Sequence, residues 1–185
     1  MKAMLGWFAI TLVGVVGCGS SDTSGASGGG AGATADPAQT PPEGDAAITS
    51  WLDAGYYMAW HCQAAAHAST PPSPHGFNRI CSNDLLAGAG ATGDFPEGSS
   101  NVKELWDSVG GSVVGHAVYL KTAADSAEGA SWYYFEFNPS ISATAPVADG
   151  LGDSGAAKSV CVGCHIAAGP SFAPTSRDFV YTQVE

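Results

Sequence analysis

The chain has 185 residues and a formal net charge of −11, from 17 Asp and Glu against 6 Lys and Arg. Such a field repels nucleic acid and anionic headgroups, and it steers in basic protein partners. Apolar residues make up 45% of the chain, enough for one core in a domain of ordinary size.

Lys2 precedes an apolar run, Leu5 to Val16, that is too short to span a bilayer comfortably. Residues 1–17 read as a secretory signal peptide. The run ends in Val15-Val16-Gly17-Cys18, which looks like a bacterial lipoprotein box, with Cys18 the residue that takes the lipid. The alternative is an ordinary signal peptide cut nearby. The lipoprotein reading puts the protein in the periplasm or cell envelope, held by its lipid to the outer membrane. Residues 18–44 are Gly-, Ser-, Pro- and Ala-rich and are expected to form a flexible tether. Residues 45–185 are the expected folded domain.

Within that domain, residues 45–68 carry apolar side chains at helical spacing behind Asp45 as N-cap, and the spacing predicts one helix. The Pro-rich stretch 69–74 stops it. "HGFNRICS" (75–82) alternates as a strand, and "NDLLAG" opens a short helix. "SNVKELWDSV" (100–109), "GSVVGHAVYLK" (111–121) and "SWYYFEF" (131–137) are β-branched or aromatic and separated by turn residues. They predict an antiparallel meander. Residues 138–156 read as loop, 161–165 as a short helix, and 176–184 as a last strand. The fold class is α+β: an N-terminal helix, a dominant antiparallel sheet, and a C-terminal segment with a helix and loop.

That C-terminal segment holds "KSVCVGCHIA", with Cys161, Cys164 and His165. Cys-x-x-Cys-His is the attachment signature of c-type haem. One helical turn offers both thiols to one haem edge, and the adjacent His165 becomes the proximal iron ligand. A thioredoxin-like redox pair would open a helix in a βαβ pattern, which is lacking here, and zinc would need two further ligands. The five cysteines then divide as Cys18 to lipid, Cys161 and Cys164 to haem c, and Cys62 with Cys81. In an oxidising compartment the last two form a disulfide, the alternative being two buried thiols. No Met or His follows His165, so the opposite face of the iron is expected to be open. His116 or Met58 would fill it in a six-coordinate electron carrier. His61, His67 and His75 read as structural or solvated.

"FPEGSSNVKEL" (95–105), "WYYFEF" (132–137) and "GFNRICSND" (76–84), with the late haem motif, resemble the cytochrome P-460 family, related to the β-sheet cytochromes c′. The resemblance runs from about residue 75 to Tyr181. It implies a mono-haem protein in which Lys103 is bonded to a meso carbon of the haem, with Arg79 at a family arginine position. It also implies oxidation of hydroxylamine or handling of nitric oxide, a redox partner protein, and a homodimer. Without the Lys103 bond, the same fold would be a non-enzymatic gas-binding protein. From the residues alone, a strand lysine is ordinarily solvated, and alternation only separates Lys103 and Leu105 from Val102, Glu104 and Trp106. The distal carboxylate that such an oxidation needs has Glu136, Asp149 and Asp153 as candidates. Phe95, Tyr134, Phe135 and Phe137 are candidate distal walls.

Overall fold

The computed structural model describes residues 40–71, 73–91, 93–169 and 177–185. The expected signal peptide, Cys18 and most of the expected tether lie outside the described residues. No helix among the described residues is long and apolar enough to cross a membrane.

The expected long first helix is a short one, α1 (Asp45–Asp53). It ends because Gly55 takes a left-handed conformation, φ 72°, which glycine adopts without steric cost. A 3-10 turn (Tyr56–Ala59) follows, then two edge strands, β1 (His61–Cys62) and β2 (His67–Ala68). Asp45 is the first helical residue and not the cap; Gly44 holds the N-cap position. The carboxylate of Asp149 accepts the Asp45 N–H at 3.0 Å, so an anion sits where the helix dipole favours one.

The sheet is antiparallel throughout. β3 (Phe77–Ser82), β4 (Ser100–Trp106), β5 (Val113–Lys121), β6 (Trp132–Phe137) and β7 (Ala148–Leu151) form a meander. β1 and β2 both pair with the outer side of β3, giving seven strands. The helix α2 (Asp84–Ala87) follows β3, its N-cap Asn83 accepting the Leu86 N–H. The region read as loop, 138–156, contains β7. Its sequence, ADGL, lacks the β-branched signal, and the strand exists because β6 offers it a partner. The expected last strand over 176–184 is not formed: residues 177–185 make turns and irregular chain.

Each face of the sheet carries a core. Val102, Val118, Leu120, Tyr133 and Phe135 pack against Ile48, Trp51 and Leu52 of α1 on one face. Tyr119, Trp132 and Tyr134 on the other pack against Ala157, Val162, Phe179 and Val180. Ala157 and Val162 belong to a π-helical segment (Ala157–Val162) that runs into α3 (Gly163–His165). This segment approaches so closely that a Cβ on Gly152 would stand 2.1 Å from the Gly129 carbonyl oxygen and 2.7 Å from Val162.

Cys62 and Cys81 form a disulfide. They are direct cross-strand partners, so the bond ties β1 to β3 rather than the first helix to its neighbour. With the cysteines 19 residues apart, Cys62→Ala with Cys81→Ala is expected to cost about 3 kcal/mol. A lower urea midpoint would show it, and an unchanged midpoint would refute it.

Candidate haem-attachment site

The second face of the sheet builds the site in three successive rows. Register aligns Lys103 of β4, Ala117 of β5 and Glu136 of β6. The next row holds Asn101, Tyr119 and Tyr134, and the one beyond pairs Lys121 with Trp132. Ala117 is the only small side chain in the first row. Its shortness leaves a cavity over which Lys103 and Glu136 face each other.

That cavity is lined by His75, Lys103, Glu136, Cys161, Cys164 and His165, together with Tyr119 and Tyr134. An adjoining groove of about 330 Å³ shares Lys103, His75, Cys164 and His165 and is closed on its far side by Asn78, Ile80 and Tyr181. Both thiols of the Cys-x-x-Cys-His motif, its histidine, and Lys103 from sixty residues earlier therefore meet at one place. The lysine, read as an ordinary strand residue by alternation alone, is directed inward.

His165 is gripped edge-on by three rings, with centroids at 5.6 Å (Tyr119), 5.7 Å (Tyr134) and 5.4 Å (Tyr181). Its Nδ1 lies 2.7 Å from the carbonyl oxygen of Phe179. A carbonyl only accepts, so Nδ1 carries the proton and Nε2 keeps its lone pair. Burial holds the imidazole pKa down at about 4, against the Phe179 hydrogen bond that favours protonation. His165 is thus a neutral, oriented imidazole of the kind that ligates metals.

Cys161 and Cys164 are not joined to each other. Burial, with the charges of Glu136 and Cys164 adding to it, pushes the Cys161 thiol up to about 12. A thioredoxin-like pair needs the opposite, a depressed thiol. Among the described residues, no three His, Cys, Asp or Glu side chains converge as a metal-holding group.

Lys103 is largely buried, and burial lowers its pKa to about 8 despite the opposing charges of Glu136 and Cys164. Glu136 is only 5% exposed. Burial alone would raise its carboxyl, but His75, the hydrogen bond from Asn138 and the charge of Lys103 outweigh this and hold it below its ordinary value. At 3.7 Å from Oε1, His75 Nδ1 acts on it by charge and not by a hydrogen bond. This nitrogen and the Tyr134 hydroxyl are buried without hydrogen-bond partners, and both residues line the cavity. At the edges, Val160 of the cavity and Tyr181 of the groove stand 48% and 52% exposed. Orphaned polar atoms inside and bare apolar side chains outside fit a large, mostly apolar group with polar edges.

His75 is the residue that the sequence reading passed over, taking it as structural. Its only signal is its place between a Pro-rich turn and β3. The other candidates fall elsewhere. Asp149 is occupied at the start of α1 and by the Tyr133 hydroxyl. Asp153 is exposed beyond β7. Phe135 and Phe137 pack with the opposite core, although Phe135 is also among the residues lining the cavity, while Phe95 is buried behind Trp132 in the nearer one. His116 is on the far face, bonded to the Tyr57 hydroxyl at 3.2 Å, and Met58 is 62% exposed. Neither lies near His165. His61 and His67 are exposed on β1 and β2 rather than on a helix.

No protein-family model matches the chain, and no curated protein is detectably similar to it.

Proposed function

We propose that this chain is an exported, lipid-anchored mono-haem c-type cytochrome of the cytochrome P-460 kind, which oxidises hydroxylamine or handles nitric oxide. Cys161 and Cys164 would hold the haem through thioether bonds, and His165 would ligate its iron. Bound there, haem would supply an iron able to exchange electrons with a small nitrogen-oxide ligand.

The observation that carries the reading is that Lys103 and Glu136 face the same cavity as the complete Cys-x-x-Cys-His motif. With its pKa near 8, Lys103 presents an appreciable fraction of neutral amine at ordinary pH, the form able to make a bond. With haem held there, Lys103 would exchange an N–H for an N–C bond to a meso carbon, the two protons and two electrons released going to an external oxidant of the peroxide class. Glu136, held ionised, accepts a proton from hydroxylamine as it is oxidised. His75 beside it provides a second proton-carrying group toward the groove. The electrons pass to a redox partner, for which the net charge of −11 favours a basic one.

Tryptic mapping of the mature holoprotein tests this directly. The peptide holding Lys103 is expected to travel with the haem peptide holding Cys161 and Cys164. Separate peptides, with haem still on the cysteines, would remove the cross-link and leave a gas-binding protein. A protein matured in a c-type-competent host without any covalent haem would overturn the reading altogether.

A further inference from the structure

The carbonyl that orients His165 belongs to a turn with an unusual backbone. Asp178 and Phe179 have φ of 50° and 65°, and the Val180 N–H closes the turn on the Arg177 carbonyl at 2.9 Å. Positive φ at both central residues normally calls for Asn-Gly or Gly-Gly. A bulky aromatic residue there is strained, and such strain persists only where the surroundings over-determine it.

The surroundings here converge on one carboxylate. Asp178 is fully buried, and so is the Lys121 ammonium that pairs with it. The Ser126 hydroxyl donates to Asp178 Oδ1, and Trp132 Nε1–H reaches the same oxygen at 3.3 Å. The backbone N–H of Phe95 donates to Oδ2 at 2.8 Å. Phe179 is tied from its other side as well, its N–H donating to the Gly169 carbonyl just beyond the haem motif at 3.1 Å. Phe179 itself is buried against Gly129 and the Trp132 core. For stability alone a buried ion pair is a poor choice, since apolar residues of similar volume often serve as well or better. Here the pair fixes a strained turn whose next carbonyl is the partner of His165 Nδ1.

We infer that Asp178, clamped by Lys121, Ser126 and Trp132, is the positioning residue of the haem site: it holds the Phe179 carbonyl against His165 and so fixes which imidazole nitrogen ligates iron and how strongly it donates. A hydrogen bond from the far side of a ligating imidazole raises its basicity. A firmer Nδ1–H···O=C bond therefore favours the oxidised metal, and a loosened one favours the reduced metal. This inference rests on the haem reading above.

The test compares wild type with Asp178→Asn, which keeps the shape but loses the charge, and with Ser126→Ala, which removes one bond and leaves the ion pair. The double variant Asp178→Asn with Lys121→Met removes both charges and covers the case in which Asp178→Asn alone fails to fold. In the haem-free protein, nitrogen NMR of His165 should show only the Nδ1–H form in wild type and a mixture of tautomers in the Asp178 variants. In the holoprotein, the midpoint potential should rise in the order wild type, Ser126→Ala, Asp178→Asn. An unchanged tautomer in folded variants, or unchanged potentials, would overturn the inference. Absence of covalent haem in wild type would overturn the haem reading instead, and the NMR arm would still report on the turn.

Discussion

Lys103→Met is expected to make the haem-free protein more stable and the loaded protein inactive toward hydroxylamine. The stability gain follows from linkage. Burial brings the folded-state pKa down to about 8 from an ordinary value of 10.5, so between these values the unfolded chain holds a proton that the folded chain does not. Stability relative to Lys103→Met therefore rises with pH from about 8 to 10.5, and below 8 the full cost of a buried charge is paid. At 1.36 kcal/mol per pKa unit this cost is roughly 3 kcal/mol, the attraction of Glu136 already included. Urea titrations of the Cys161→Ser, Cys164→Ser protein with and without Lys103→Met, at pH 7 and pH 10, would measure it. Two stability curves that do not converge at high pH would contradict the assignment. In the holoprotein, haem should remain on Cys161 and Cys164 while hydroxylamine turnover disappears. Full turnover by Lys103→Met would sink the cross-link as the source of activity. A residue retained against stability marks a functional site more strongly than one that supports the fold.

Glu104→Ala should be the most damaging single change away from the haem site. Glu104 is fully buried on the face opposite Lys103. Both carboxylate oxygens take Arg79, Nη2 to Oε1 and Nε to Oε2, each at 2.7 Å. The Tyr57 hydroxyl and Trp106 Nε1–H add bonds at 3.0 Å each. Removing the carboxylate strands a half-buried guanidinium and two donors at once. Breaking one side of such a pair costs about 3–5 kcal/mol, against a total of about 5–15 kcal/mol for a typical domain. Glu104→Ala should therefore lower the urea midpoint sharply, and Glu104→Gln, whose single amide oxygen still accepts from one of the two donors, should lower it less. Equal midpoints for the two would show that the charge-paired network contributes little. Arg79 thus has a structural anchor here, independent of any role at the haem.

Much of this arrangement is legible in the residues. The Cys-x-x-Cys-His motif is a local pattern, and β3 to β6 announce themselves through β-branched and aromatic residues bounded by turns. Local reading fails where tertiary partners decide. The helical spacing of residues 45–68 is real, but Gly55 ends the helix and the pairing of Cys62 with Cys81 recruits the rest to the sheet. ADGL becomes a strand because β6 has an unpaired edge. The inward direction of Lys103 depends on Ala117 standing between it and Glu136, a cross-strand relation invisible along the chain. His75 enters the cavity only because a Pro-rich turn brings it there, and a backbone carbonyl such as that of Phe179 leaves no trace in sequence at all.

The two-faced sheet has a consequence for how the protein matures. Cys62 and Cys81 pack with the core on the α1 face, whereas Cys161 and Cys164 line the cavity on the other. Once β3 to β6 have paired, a layer of hydrogen-bonded backbone stands between the two sets of sulfurs. The fold sorts its own cysteines: one pair is committed to oxidation at the sheet edge, and the other is kept out of reach of that exchange until its own chemistry arrives.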